Sequence, residues 1–182
     1  MSELRTNRIV PRDGLVSGAS GGIIQVVSVT KTNAESLTSN STEQLIPGMQ
    51  ATITPTRSDS KVLVQVVFHA SVGGSFAAHY AVLRRDSQNI CIGDTGNANQ
   101  IRATLSLQSP NHYSDNHSAL YGPGQSCINF LDSPATTSAT TYGLYHADAN
   151  GTNALYINRG AGNDQSYYNR TASTITLMEV SV

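Results

Sequence analysis

The sequence predicts an all-β protein, a β-sandwich or jelly roll, and three observations carry that expectation. First, apolar residues recur with period two along most of the chain. In residues 61–71, Val62, Val64, Val66 and Phe68 alternate with Leu63, Gln65, Val67 and His69, the pattern of a strand with one face on a core. Second, no stretch sustains the 3.6-residue period of an amphipathic helix over the ~11 residues needed to argue for one. Third, turn signals punctuate the strands at short intervals: Pro47-Gly48, Gly73-Gly74, Gly93-Asp94-Thr95-Gly96, Gly122-Pro123-Gly124, Asn150-Gly151 and Gly160-Ala161-Gly162. About ten short strands at such spacing describe a sandwich.

The elements follow in order. Residues 1–22 differ from the rest. Arg5, Arg8 and Arg12 punctuate Leu4, Ile9 and Val10, Pro11 blocks a helix, and Ser17-Gly18-Ala19-Ser20-Gly21-Gly22 makes a hinge. This reads as an arm and linker. Twenty extended residues reach ~65 Å, enough to dock into a neighbour. Residues 23–182 form the sandwich domain, with strands expected at 23–30, 50–54, 61–71, 79–85, 90–92, 103–107, 125–131, 141–147, 154–158 and 173–182. The Ser/Thr-rich residues 36–42 read as a loop. Asn150-Gly151 is the strongest turn signal, since a type I′ hairpin needs two residues at positive φ, and it is expected to join 141–147 to 154–158.

Composition bounds the function. The chain has 182 residues and 19.3 kDa, with 11 Lys+Arg against 12 Asp+Glu and only 13% charged residues, about half the usual ~25%. A globule of this size buries roughly 70% of its unfolded surface and needs no metal or disulfide to fold. A net charge of -1 offers no handle for counterion release, which argues against nucleic-acid binding. The apolar runs argue against disorder. Cys91 and Cys127 are too few for a disulfide scaffold and lack the paired spacing of a zinc site, so they read as reduced thiols. Met1-Ser2-Glu3-Leu4-Arg5 has no apolar signal region, and no run approaches the ~18 apolar residues of a membrane span. The expected site of synthesis is the cytosol, with no membrane insertion.

Motifs with chemical meaning weigh lightly. Gly18-Ala19-Ser20-Gly21-Gly22 contains Gly-x-Ser-x-Gly, but a nucleophile elbow needs a strand before it and a helix after it; here it reads as linker. Asp148-Ala149-Asn150-Gly151 lacks the alternating acids and final Glu of a calcium loop. The sequons at Asn40, Asn116, Asn150 and Asn169 follow from an Asn/Ser/Thr-rich composition. Two carboxylates of a glycosidase are not paired by any spacing among Asp132, Asp148, Asp164 and Glu179. His69, on an apolar strand, reads as a hydrogen-bonded core or interface histidine. No enzymatic role, cofactor or metal is expected. Seven of the eight tyrosines follow residue 110, and Tyr suits recognition of glycans and protein surfaces. The candidate receptor-binding residues are His112, Tyr113, Asp115 and His117 in one polar loop, with Tyr167, Tyr168 and Arg170 in another.

The opening Ser2-Glu3-Leu4-Arg5-Thr6-Asn7-Arg8-Ile9-Val10-Pro11-Arg12-Asp13-Gly14-Leu15, the Ser17–Val27 stretch after it, the middle at 53–64, and the end at 129–134 and 172–180 resemble small virion proteins of tailed phages, the tail-fibre-like kind familiar from cyanophages and other marine bacteriophages. The sequence departs from that pattern at Val16, where a proline is common, and at 35–48, which is longer and more polar. The resemblance implies a homotrimeric jelly roll of the complement-head or tumour-necrosis-factor type, carried on the virion by an N-terminal anchor. Leu4, Arg5, Arg8, Ile9, Val10 and Arg12 would be the anchor residues, their guanidiniums meeting carboxylates or carbonyls of another virion protein. The expected function is a structural virion protein, a fibre or decoration appendage whose distal loops meet a host-surface glycan or protein. The alternative is a free carbohydrate-binding, lectin-like module.

Overall fold

The computed structural model describes residues 22–38, 40–73, 78–97, 99–107, 122–151, 153–162, 166 and 168–181. Among the described residues eleven strands follow one another: β1 (Ile23–Lys31), β2 (Glu35–Leu37), β3 (Gln44–Ile53), β4 (Lys61–Val72), β5 (His79–Arg85), β6 (Gln88–Ile90), β7 (Leu105–Ser106), β8 (Gly124–Asp132), β9 (Thr140–Asp148), β10 (Leu155–Ile157) and β11 (Ser173–Val180). No helix occurs among the described residues.

The strands form two antiparallel sheets. In sheet A, β4 pairs with β8 along one edge and with β11 and then β10 along the other; β11 pairs with β1, and β10 with β2. In sheet B the order is β3-β9-β5, with the short β6 and β7 both on the far edge of β5. Two four-stranded layers result, β8-β4-β11-β1 and β3-β9-β5-β6/β7, the double Greek key of a jelly roll. The all-β jelly-roll expectation holds.

Period-two patterning builds the core between the layers. Val62, Val64, Val66 and Phe68 of β4, Ile175 and Leu177 of β11, Ile53 of β3, Leu83 of β5, and Tyr142 and Leu144 of β9 face inward and are almost wholly buried. Each such aliphatic or aromatic side chain contributes roughly 1.5–3 kcal/mol by leaving water.

Buried polar groups close one end of the sandwich. Asp132 of β8 accepts hydrogen bonds on Oδ2 from Tyr142 Oη (2.7 Å) and Arg85 Nη1 (2.8 Å), tying sheet A to sheet B. Burial first, and the bond to Asp132 second, push the Tyr142 hydroxyl well above the usual phenol range. Nearby, Glu179 of β11 accepts from Gln25 Nε2 (2.6 Å) and from the N–H and hydroxyl of Thr56 (both 2.8 Å), which pins the β3–β4 loop. Burial alone would raise the pKa of Glu179, but hydrogen bonds from Gln25 and Thr56 outweigh it and lower the pKa.

Several turn expectations fail. Pro47-Gly48 lies inside β3 and makes no turn. β3 is an edge strand, where a missing N–H is tolerated, and Gly48 at φ +76 forms the irregularity between Leu45 and Gln50 in the pairing with β9. Gly48→Ala is expected to cost about 1–2 kcal/mol, because the space is open (Lys31 side chain at 3.6 Å) and only the positive φ opposes a Cβ. A denaturant midpoint unchanged from the parent would show that the bulge relaxes freely.

Asn150-Gly151 does not make a hairpin. β9 pairs with β3 and β5, whereas β10 pairs with β4 and β2, so the chain crosses here from sheet B to sheet A. Gly151 has positive φ but Asn150 does not, which excludes a type I′ turn. The loop expected at 36–42 overlaps β2, and the strand expected at 90–92 ends at Ile90 because Cys91 adopts φ 53.

Candidate functional site

The outer face of sheet A is the most distinctive surface. Register places Val26, Met178, Leu63 and Leu131 side by side across β1, β11, β4 and β8. Val26 and Leu131 are 55% and 50% exposed, so this apolar row meets solvent. The next row is Ser28, Thr176, Gln65 and Asn129, and the one after it Thr30, Thr174, Val67 and Cys127. The hydroxyls of Ser28 and Thr176 lie 2.8 Å apart, and those of Thr30 and Thr174 3.3 Å apart. These twelve outward positions hold no acid, arginine or lysine; Lys61 stands at the margin. Sheet B contrasts with this. Its Arg84 lies 4.2 Å over the ring of Tyr145 and is ion-paired with Glu43.

A basic and aromatic corner borders the same face. Tyr156 of β10 sits between Ser36 and Ser71, its ring so close to Gly73 that a Cβ there would lie 2.8 Å from it. The Arg159 guanidinium stacks 4.3 Å over that ring while Nη1 donates to the carbonyls of Gly160 and Ala161. Arg159 pairs through its backbone with Arg170, and Tyr168 packs on Gly162. Burial lowers the pKa of Arg159, Tyr156 raises it, and Arg170 lowers it further; the net direction is down.

Of the candidate receptor-binding residues, Arg170 pairs through its backbone with Arg159, and Tyr168 lies against Gly162. His112, Tyr113, Asp115, His117 and Tyr167 lie outside the described residues, as do the anchor residues Leu4, Arg5, Arg8, Ile9, Val10 and Arg12. Sequence reasoning missed Arg159 and the part played by Tyr156. The buried Leu155 and Ile157 on either side of Tyr156 carry the signal that it points outward. His69 is not a core residue: it lies on the outward side of β4, partly buried, with Nδ1 shielded and unpartnered.

At the end of the sandwich opposite Asp132, three buried polar side chains face inward from sheet B. Register sets His79 opposite Asp148 and Ala81 opposite His146. His79 Nε2 is 3.7 Å from Asp148 Oδ2, and the two imidazoles stack with centroids 6.4 Å apart. All four ring nitrogens are buried without a hydrogen-bond partner. Asp148 itself holds the crossover, accepting the N–H groups of Ala78, Asn150 and Asn153. Burial, and secondarily the neighbouring His79, push the pKa of His146 down to about 4 against the opposing pull of Asp148. Burial also lowers that of His79. Among the described residues no group of three His, Cys, Asp or Glu is placed to hold a metal ion. Cys91 and Cys127 are free thiols.

No protein-family model matches the chain, and no curated protein matches its sequence. Among solved structures, it is similar to the VP2 subviral particle of infectious bursal disease virus, with 11% identity over 98% of this chain and a TM-score of 0.41. It is likewise similar to the Gt strain of that virus, at 10% identity over 98% of this chain, again with a TM-score of 0.41. The chain spans a little under half of those proteins, 46% and 47% respectively.

Proposed function

We propose that the chain is a structural virion protein of the tail-fibre-like kind, a homotrimeric fibre or decoration appendage. Its sandwich packs against copies of itself through the outer face of sheet A, and its N-terminal arm docks into other virion proteins. The observation that carries this reading is the uncharged outer face. An apolar row flanked by hydroxyl ladders presents no like charges to an identical surface, so copies meet without electrostatic penalty. An exposed apolar strip of this kind marks an interaction surface. The resemblance of the opening residues to the virion family supports the anchoring role of the arm, where Arg5, Arg8 and Arg12 offer donors and Leu4, Ile9 and Val10 apolar contacts. The proposal involves no catalytic step and no cofactor, and places the protein on the virion after synthesis in the host cytoplasm.

Deletion of residues 2–16 tests it. The shortened chain should fold and keep its oligomeric mass while failing to incorporate into particles. Incorporation at the parent level would overturn the anchoring role, and a monomeric parent would overturn the assembly. The corner formed by Tyr156, Arg159, Tyr168 and Arg170 favours a second reading, a lectin-like surface for an acidic glycan on the host. That reading requires glycan binding by the purified chain that falls at least tenfold in Arg159→Ala.

A further inference from the structure

We infer that β8 is a docking edge for β8 of a second copy, the two strands pairing antiparallel about a two-fold axis into one continuous sheet. The directions of the backbone groups show that this edge is open among the described residues. In β4, His69 donates its N–H to Ser173 Oγ and its carbonyl accepts from Asn158 N–H, both on the β11 and β10 side. Alternation along a strand then turns the odd-numbered residues of β4 toward β11 and the even-numbered ones toward β8. Val62, Val64, Val66 and Phe68 stand opposite Asp132, Phe130, Ile128 and Ser126, so those four residues of β8 spend their backbone groups on β4. Gln125, Cys127, Asn129 and Leu131 point theirs away from the sheet. Among the described residues no strand or loop pairs with them.

An open edge of this length is a pairing template, and other edges of the molecule carry recognised defences. β3 has Pro47 and the bulge at Gly48. β1 is irregular between Ile23 and Gln25, and β6 and β7 are three and two residues long. β8 has none of these: it runs nine residues in unbroken register with β4 and contains no proline and no lysine. Its first eight residues are uncharged, and the ninth, Asp132, is turned inward to Arg85 and Tyr142.

A second copy is the occupant this strand fits. Two neutral strands pair without repulsion, and an isologous contact needs only one self-complementary surface. The apolar row ends at Leu131 on β8, so the pairing carries it from one sheet onto the next. The contact joins copies in twos, whatever ring the outer face of sheet A builds.

Asn129→Pro is the discriminating variant. Asn129 N–H points to the open edge, so proline removes one edge donor and leaves the β4 ladder intact. The full chain is measured by sedimentation velocity at micromolar concentration, alongside Asn129→Pro and Gln125→Pro. The parent should contain an even number of chains, and Asn129→Pro half that number, with unchanged circular dichroism. A short bismaleimide should cross-link the Cys91→Ser chain through Cys127, and Asn129→Pro should abolish that product. A fall from six chains to three supports both this contact and the trimer; a fall from two to one supports the contact and rejects the trimer. A parent of one or three chains, or a folded Asn129→Pro of unchanged mass, overturns the inference. If the proline variant does not fold, Gln125→Pro decides in the same way, because its N–H also points to the open edge and its side chain lies outside the twelve outer-face positions.

Discussion

Asp132→Ala is expected to destabilise the fold by about 3–5 kcal/mol, the largest effect of any single substitution considered. Asp132 is 6% exposed, and its carboxylate is shared by Arg85 and the fully buried Tyr142. Its removal leaves a phenolic hydroxyl without an acceptor and a guanidinium without its anion, at the point where β8 of one sheet meets β5 and β9 of the other. Tyr142→Phe should cost less, about 1–2 kcal/mol, because Arg85 still satisfies the carboxylate. Urea unfolding of the three chains checks the ranking. An Asp132→Ala loss below that of Tyr142→Phe would show that the ion pair is not the link between the sheets.

Acidification from pH 6.5 to 4 should cost roughly 3 kcal/mol through His146 alone, with His79 adding in the same direction. The sign follows from burial. Both imidazoles have folded-state pKa values below the unfolded value of 6.5, His146 at about 4. Their contribution is therefore complete above pH 6.5. It shrinks as pH falls, because the unfolded chain takes up protons that the folded one refuses. Glu179 acts lower on the scale. Its folded pKa is depressed below 4.5, so its contribution is present above pH 4.5 and is lost as pH falls through the depressed value. His146→Leu should remove ~1.4 kcal/mol per pH unit from the slope between pH 6 and 4.5 while leaving the loss through Glu179 below pH 4.5. An unaltered slope in thermal melts across that range would exclude the buried pair as its source.

The alternation in 61–71, 173–180 and 141–147 was enough to read strands, inward faces and an all-β class, since period two is a local property of the chain. It could not say which strand neighbours which. β1 lies beside β11 and β3 beside β9, pairings that join distant parts of the sequence. Pro47-Gly48 and Asn150-Gly151 misled for the same reason. Locally both are turns. In the folded chain, Pro47 is admitted because β3 happens to be an edge, and Asn150 is drawn into a crossover because Asp148 collects the N–H groups of Ala78, Asn150 and Asn153. Tyr168 and Arg170 were legible as a polar aromatic pair, but Arg159 gained meaning only when its ring partner Tyr156 and its backbone partner Arg170 were brought beside it.

The class of structure, the sparsely charged composition and the inward half of each long strand all follow from side-chain chemistry read residue by residue. Sheet order and register placed the neutral residues on one outer face, stacked the two histidines beside Asp148, and left the outer edge of β8 without a partner among the described residues. Long-range hydrogen bonding and core packing set that order and register together, and no local pattern encodes them.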